Sequence, residues 1–244
     1  MSLPDAEVQD QITAFWTLIA TQYESHPGNV PAVGSPEYKA WIGTIGKLLP
    51  RAPSDVLDVG TGTGFVALIA SQLGHHVIGL DLSSAMLSEA RVRAEQRGLR
   101  TTFAVGDAVA PALEEGSLDA IICRHLLWTL RQPQAALMNW RRLLRPEGRV
   151  VVIDGFWFTQ AKPEEGNQIF SRYYTGRTCE ALPAMHWDRV EPVAGLLRAA
   201  GFSDVTITDL ADVHRLAEKP PSPQPWFAVT GRRSESDHEG QGTD

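Results

Sequence analysis

Two cysteines, Cys123 and Cys179, are all that 244 residues contain, so no disulfide framework can support the fold. No apolar run approaches the ~20 residues needed to cross a bilayer. The opening segment, MSLPDAEVQDQ, lacks both the basic stretch and the apolar core of a signal peptide. Positive charge is also scarce. Lys and Arg number 22 against 29 Asp and Glu, a net charge of −7 that argues against a sequence-independent grip on nucleic acid. The one basic cluster, NWRRLLRPEGR with Arg141, Arg142, Arg145 and Arg149, reads as a solvated helix face. Neither the cysteines nor His75 and His76 stand at zinc-ligand spacing, and no G-K-[ST] follows the glycine-rich loop, which excludes a Walker A phosphate site. These absences lead to the expectation of a cytoplasmic protein with no metal, no nucleic-acid partner and no membrane partner.

Apolar residues, at 43%, suffice for a sizeable core, and the length accommodates one large α/β domain. DVLDVG (55–60) is a short apolar run ending in glycine, as a buried parallel strand would be. FVALIASQLG reads as a helix stopped by Gly74. HHVIGLD is a second strand, after which Ser83 caps the helix SAMLSEARVRAEQRG that Gly98 ends. TTFAVGD and LDAIICR are the third and fourth strands. Pro133 opens a helix whose Ala136, Leu137, Trp140, Leu143 and Leu144 form one apolar stripe. RPEG turns the chain into a fifth strand, RVVVIDGFWF, and Asp188 to Ala200 is a helix closed by Gly201. The last strands, DVTITDL and PWFAVTG, are separated by the proline-rich AEKPPSPQP and are expected as an antiparallel hairpin.

Strand–helix alternation at this pitch implies a mostly parallel sheet of seven strands with helices on both faces. Residues 1–50 carry two helices, AEVQDQITAFWTLIATQYES and SPEYKAWIGTIGKLL, and read as a lid. Residues 51–233 form the domain, with an aromatic-rich insertion at 159–187. Residues 234–244 hold no apolar side chain and are expected to be disordered.

Gly60, Gly62 and Gly64 stand at alternate positions just after the first strand, where a ligand can approach the backbone closely. A dinucleotide fingerprint needs G-x-G-x-x-G. Counting from Gly60 puts Phe65 at the last position, and counting from Gly62 puts Ala67 there, so the spacing leans away from a dinucleotide without closing that reading. Asp81 ends the second strand, where a carboxylate can accept from both hydroxyls of a ribose. Asp107 ends the third, placed to accept from an exocyclic amine.

With LDVGTGTG, VIGLDLSSAML, VGDA and LLRPEGRVVVID, the chain resembles the class I S-adenosylmethionine-dependent methyltransferases over residues 10–230. The resemblance implies a Rossmann-like sheet and S-adenosyl-L-methionine as cofactor. Asp58 and the Gly60–Thr61–Gly62–Gly64 loop would hold the methionine end and ribose. Asp81 would bind the ribose hydroxyls, Leu82 and Met86 would flank the adenine, Asp107 with Ala108 would meet its amine, and Arg124 would offer its backbone to the methionine amino group. Tyr23 matches a tyrosine that closes over the cofactor. Methyl transfer from a sulfonium needs alignment above all. His125 is the candidate at the reacting centre, although the histidine pair common in small-molecule members is replaced here by Trp128–Thr129. Trp128, Tyr174 and His186 are candidate contacts to a small-molecule acceptor in a mostly apolar pocket. A homodimer is compatible with the chain. A nicotinamide-dependent oxidoreductase and a cofactor-binding but inactive subunit are the competing functions.

Overall fold

The computed structural model describes residues 5–25, 29–158, 168–217 and 226–235. The chain opens with α1 (Asp5–Ile19), which tightens into a 3-10 segment at Ala20–Ser25, so the first lid helix is shorter than its apolar pattern implies. Ser35 accepts from the Tyr38 N–H at 3.1 Å and Pro36 fills the first turn, starting α2 (Pro36–Leu48). Then follow β1 (Asp55–Val59), α3 (Phe65–Gln72), β2 (His76–Asp81), α4 (Ser84–Gln96), β3 (Thr102–Val105), β4 (Leu118–Arg124), α5 (Pro133–Leu143) and β5 (Leu144–Asp154). Ser83 caps α4, accepting from the Met86 N–H at 3.2 Å. The C-terminal part comprises α6 (Gln168–Tyr173), α7 (Gly176–Glu180), α8 (Glu191–Ala199), β6 (Ser203–Asp209), α9 (Ala211–Leu216) and β7 (Phe227–Arg232).

The seven strands form one sheet in the order β3-β2-β1-β4-β5-β7-β6. The first five are parallel, and β7 runs antiparallel to both β5 and β6. The strand order reverses beside β1, so the connections that follow β1 and β4 leave in opposite directions and open a crevice where ligands of open α/β sheets bind. The expected Rossmann-like architecture is therefore the observed one.

Three details depart from the sequence reading. β5 begins at Leu144, directly after α5, and RPEG is a bulge inside it: Leu118 pairs with Leu144, the next pair is Ala120 with Arg149, and Glu147 takes φ 63°. α8 starts at Glu191 rather than Asp188, because Pro192 is tolerated only in a helix's first turn. The last two strands pair antiparallel as expected, but the short helix α9 follows β6, with Val213 buried in the core, so their connection is more than a hairpin turn. Most of the tail expected to be disordered (234–244) and the first part, 159–167, of the insertion expected at 159–187 lie outside the described residues.

Both faces of the sheet are covered. Trp41, Leu68, Ile69 and Trp226 lie in one buried layer, and Ile121, Leu137, Trp140 and Leu197 in the other. A third apolar cluster, Val8, Ile12, Phe15, Tyr174, Leu182 and Met185, joins α1 to the segment after α6 and lies apart from both. The arginine cluster does more than face solvent. Arg145 bridges Asp55 and Asp119 at 2.9 and 2.8 Å, and Arg149 donates to the Leu48 carbonyl at 2.8 Å.

Candidate functional site

The glycine loop carries positive φ at all three positions: 66° at Gly60, 54° at Gly62 and 86° at Gly64. Each glycine has a different reason. A Cβ on Gly60 would meet Leu126 at 2.7 Å, and one on Gly64 would meet Ala90 at 3.1 Å and Phe103 at 3.3 Å. A Cβ on Gly62 would meet nothing within 4 Å. Gly60 and Gly64 are small because protein crowds them, whereas Gly62 faces open space on the cleft side.

Asp58 is the staple of this loop. Its Oδ2 accepts from the Thr61 hydroxyl at 2.6 Å and from the Ala67 N–H at 3.0 Å. Burial pushes its pKa up to about 7, against the pull of those two hydrogen bonds. Asp81 braces the same loop from the next strand. Its Oδ2 accepts from the Gly62 N–H and its Oδ1 from the Ser83 N–H, both at 2.9 Å. A carboxylate offers about four lone-pair sites, so each oxygen retains acceptor capacity for the cleft that it lines. Asp107 is held likewise: Oδ1 accepts from the Val109 N–H at 2.8 Å, while Oδ2 lies 3.6 Å from Arg131 Nη2.

These residues come together in one cleft with Leu82, Met86, Ala108, Arg124 and His125, closed on top by α1 and Tyr23. Of the sequence candidates, Tyr23, Gly60, Gly62, Asp81, Leu82, Met86, Asp107, Ala108, Arg124 and His125 line it. Asp58 and Thr61 lie beneath the loop, lining a smaller recess, and Gly64 caps α3. Gln9 and Thr13 of α1, which the sequence did not point to, also line the cleft, together with Trp16. These are ordinary residue types in no motif, and nothing but the fold brings them there. Gln9 accepts from Arg131 Nε at 2.8 Å, the Thr17 and Ser83 hydroxyls are bonded at 3.0 Å, and Glu24 accepts from the Thr63 hydroxyl at 2.8 Å.

A second chamber of about 250 Å³ adjoins the cleft and shares Trp16, Tyr23 and His125 with it. Trp128, Trp157, Phe158 and Phe170 line it together with Phe15 and Ile19 of α1 and Asn29. Asp154, also absent from the sequence reading, fixes one wall by accepting from Trp157 Nε1 at 2.7 Å and from the Leu127 N–H at 3.0 Å. Burial raises its pKa to about 6. Tyr174 stands behind this wall, buried, with its ring stacked 4.4 Å from Phe170 and its hydroxyl bonded to Thr129 at 2.6 Å. His186 is exposed and is not among the described residues lining either cavity.

His125 sits at the junction of cleft and chamber. Its φ of 57° lies in the left-handed region, and its ring packs edge-on to Trp157 at 4.4 Å. Nε2 is buried without a partner. Burial and the adjacent Arg124 charge push its pKa well below the usual histidine range, so the ring is neutral at physiological pH. Among the described residues there is no His/Cys/Asp/Glu group able to hold a metal, and no helix long and apolar enough to cross a membrane.

Residues 57–152 match the family described as a methyltransferase domain. The demethylmenaquinone methyltransferase of Thermus thermophilus is 33% identical over 174 residues, covering 64% of this chain and 77% of that protein. A phosphoethanolamine N-methyltransferase of Haemonchus contortus, solved with S-adenosylhomocysteine and phosphomonomethylethanolamine, superposes with TM-score 0.65 at 19% identity over 91% of this chain; the chain spans only 60% of that enzyme. The [4+2]-cyclase SpnF superposes with TM-score 0.69 at 18% identity, covering 96% of this chain and 98% of that one. At such identities the two structures share the fold, and the fold alone.

Proposed function

The chain belongs to the class I S-adenosylmethionine-dependent methyltransferase family, and from that premise we propose that it methylates an uncharged, largely apolar small molecule seated in the aromatic chamber. The nicotinamide-dependent reading left open by the loop spacing is thereby set aside. The cleft fits the cofactor on three observations: the open space above Gly62, the spare acceptor capacity of Asp81, and the apolar wall of Leu82, Met86 and Ala108 beside the Asp107 carboxylate.

Bound S-adenosylmethionine supplies an electrophilic methyl group on a sulfonium. What remains for the chain is to hold, align and dry the site. Asp81 would hold the ribose hydroxyls and Asp107 the adenine amine, while Gly62 lets the loop backbone come close. Tyr23 and Trp16, common to both cavities, close the junction against water. His125 faces the acceptor from the floor. Being neutral, its imidazole can accept a hydrogen bond from an acceptor hydroxyl without repelling the sulfonium charge.

The observation that supports this acceptor class is the chamber lining. Apart from His125 and Tyr23 it holds no ionisable side chain among the described residues, and its surface is mostly indole and phenyl. Such a surface stacks on flat or bulky apolar molecules and leaves a phosphate without a partner. The test is release of S-adenosylhomocysteine on a panel of phenols, quinols and hydrophobic alcohols set against phosphoethanolamine and simple amines. Turnover confined to the charged acceptors would overturn the proposal. Tight cofactor binding with no turnover on any acceptor would favour a non-transferring role, as a shared fold permits.

A further inference from the structure

Arg124 is the last residue of β4, and its guanidinium is buried in an unusual setting. It lies 4.8 Å from the Phe65 ring centroid, 4.9 Å from Trp41 and 5.8 Å from Trp226. Nη1 and Nη2 donate to the Asn29 carbonyl at 3.2 and 3.3 Å, and Nε is buried with no partner. Tyr23, Glu37, Asp154 and Asp58 act on it at longer range, yet no carboxylate of the described residues lies within the 4.0 Å of an ion pair. A guanidinium carries five N–H donors and keeps its proton. Aromatic faces recover part of the cost of burying it, but a desolvated cation without a counter-ion remains costly.

The side chain borders two spaces at once: the main cleft, and a recess of about 40 Å³ beneath the glycine loop that Asp58 also lines. A recess of that size has room for a small charged group and no more. The Arg124 guanidinium that borders it supplies positive charge, which suits a small anionic group.

We propose that the Arg124 side chain receives the α-carboxylate of the cofactor's methionine end, making it a positioning residue that sets how deeply the sulfonium seats toward His125. This rests on the cofactor reading above, and it assigns to the guanidinium a role beyond that expected of the Arg124 backbone. Two planar N–H donors matched to two carboxylate oxygens would fix orientation as well as charge.

The experiment compares three ligands by calorimetry: S-adenosylhomocysteine, its α-carboxamide, and 5′-methylthioadenosine, which has no amino-acid end. The wild-type protein is expected to prefer S-adenosylhomocysteine to the carboxamide by about 30-fold, the usual reach of a charged hydrogen-bonded pair. Arg124→Met should erase that preference while binding 5′-methylthioadenosine as before, and Arg124→Lys should restore part of it. Equal wild-type affinity for the acid and the amide overturns the proposal, and needs no variant to fold. So does an equal loss of all three ligands in Arg124→Met, which would make the side chain a structural support. Wild-type protein that binds none of the three would instead defeat the cofactor reading itself.

Discussion

Asp81→Ala is the most informative single substitution, because the carboxylate serves the protein and the proposed ligand at the same time. In the ligand-free chain it removes the acceptor for two backbone amides, those of Gly62 and Ser83, each bonded at 2.9 Å. Hydrogen bonds to a charged acceptor contribute about 1.5–3 kcal/mol each, but cleft water can reach both amides, so a total loss of about 1–3 kcal/mol in stability is expected. With cofactor present, the variant also lacks the acceptors for two ribose hydroxyls. That should cost about 2–3 kcal/mol of affinity, roughly a 30- to 150-fold rise in Kd for S-adenosylhomocysteine.

Thermal denaturation without ligand separates the first effect from the second, which calorimetry measures at a temperature where both proteins are folded. Asp81→Asn serves as the control. It keeps one carbonyl acceptor but sets an NH2 group against a backbone N–H, so it should fall between wild type and alanine in both measurements. A lowered melting temperature with affinity within threefold of wild type would refute the assignment. Asp81 would then be a brace for the loop and nothing more.

Three further outcomes are expected. Gly62→Val places a branched side chain at φ 54° and in the open space of the cleft, so it should cost about 1–2 kcal/mol of stability and abolish cofactor binding; normal binding by calorimetry would remove the loop from the site. Asp58, with its pKa raised to about 7, holds a proton in the folded state that the unfolded chain releases nearer pH 4, so its contribution is most favourable at low pH and is lost as pH rises toward 7. The melting temperature of wild type should therefore rise relative to that of Asp58→Asn from pH 8 to pH 5; a relative fall contradicts the burial argument. Hydrogen exchange over residues 15–25 and 29–35 should slow on binding S-adenosylhomocysteine, with α5 little changed, whereas uniform protection of both would show that α1 is no lid.

The parts legible in the sequence are those fixed by local chemistry. Asp81 and Asp107 could be placed because each closes an apolar run, and a run of that length ends at the sheet's carboxyl edge. Ser83, Gly74 and Gly98 announced helix ends through capping and positive φ. The separate reasons for Gly60 and Gly64 were not legible, since Leu126, Ala90 and Phe103 reach them from other elements. Gln9, Thr13 and Asp154 carry no motif and acquire their places only when α1 crosses the cleft and β5 ends beside the aromatic chamber. The insertion was least legible. Its aromatics follow no period, and the structure sets Tyr174 behind the chamber wall and His186 on the surface.

The family match ends at residue 152, and only His125 and Trp128 of the chamber fall within it. The remaining described walls come from α1, its 3-10 extension, Asn29, and Trp157, Phe158 and Phe170, most of which pack on each other through the third apolar cluster. A chamber built on its own small core can change its lining without disturbing the sheet. Three of its polar ties to the sheet domain land on cofactor-side groups: Thr17 on Ser83 beside Asp81, Gln9 on the Arg131 that faces Asp107, and Glu24, which also pairs with Arg93 of α4, on Thr63 of the glycine loop. Filling the cleft would order the very residues that α1 grips. Cofactor binding and closure of the acceptor chamber are on this account linked, and each should strengthen the other through shared ordering rather than through direct contact between ligands.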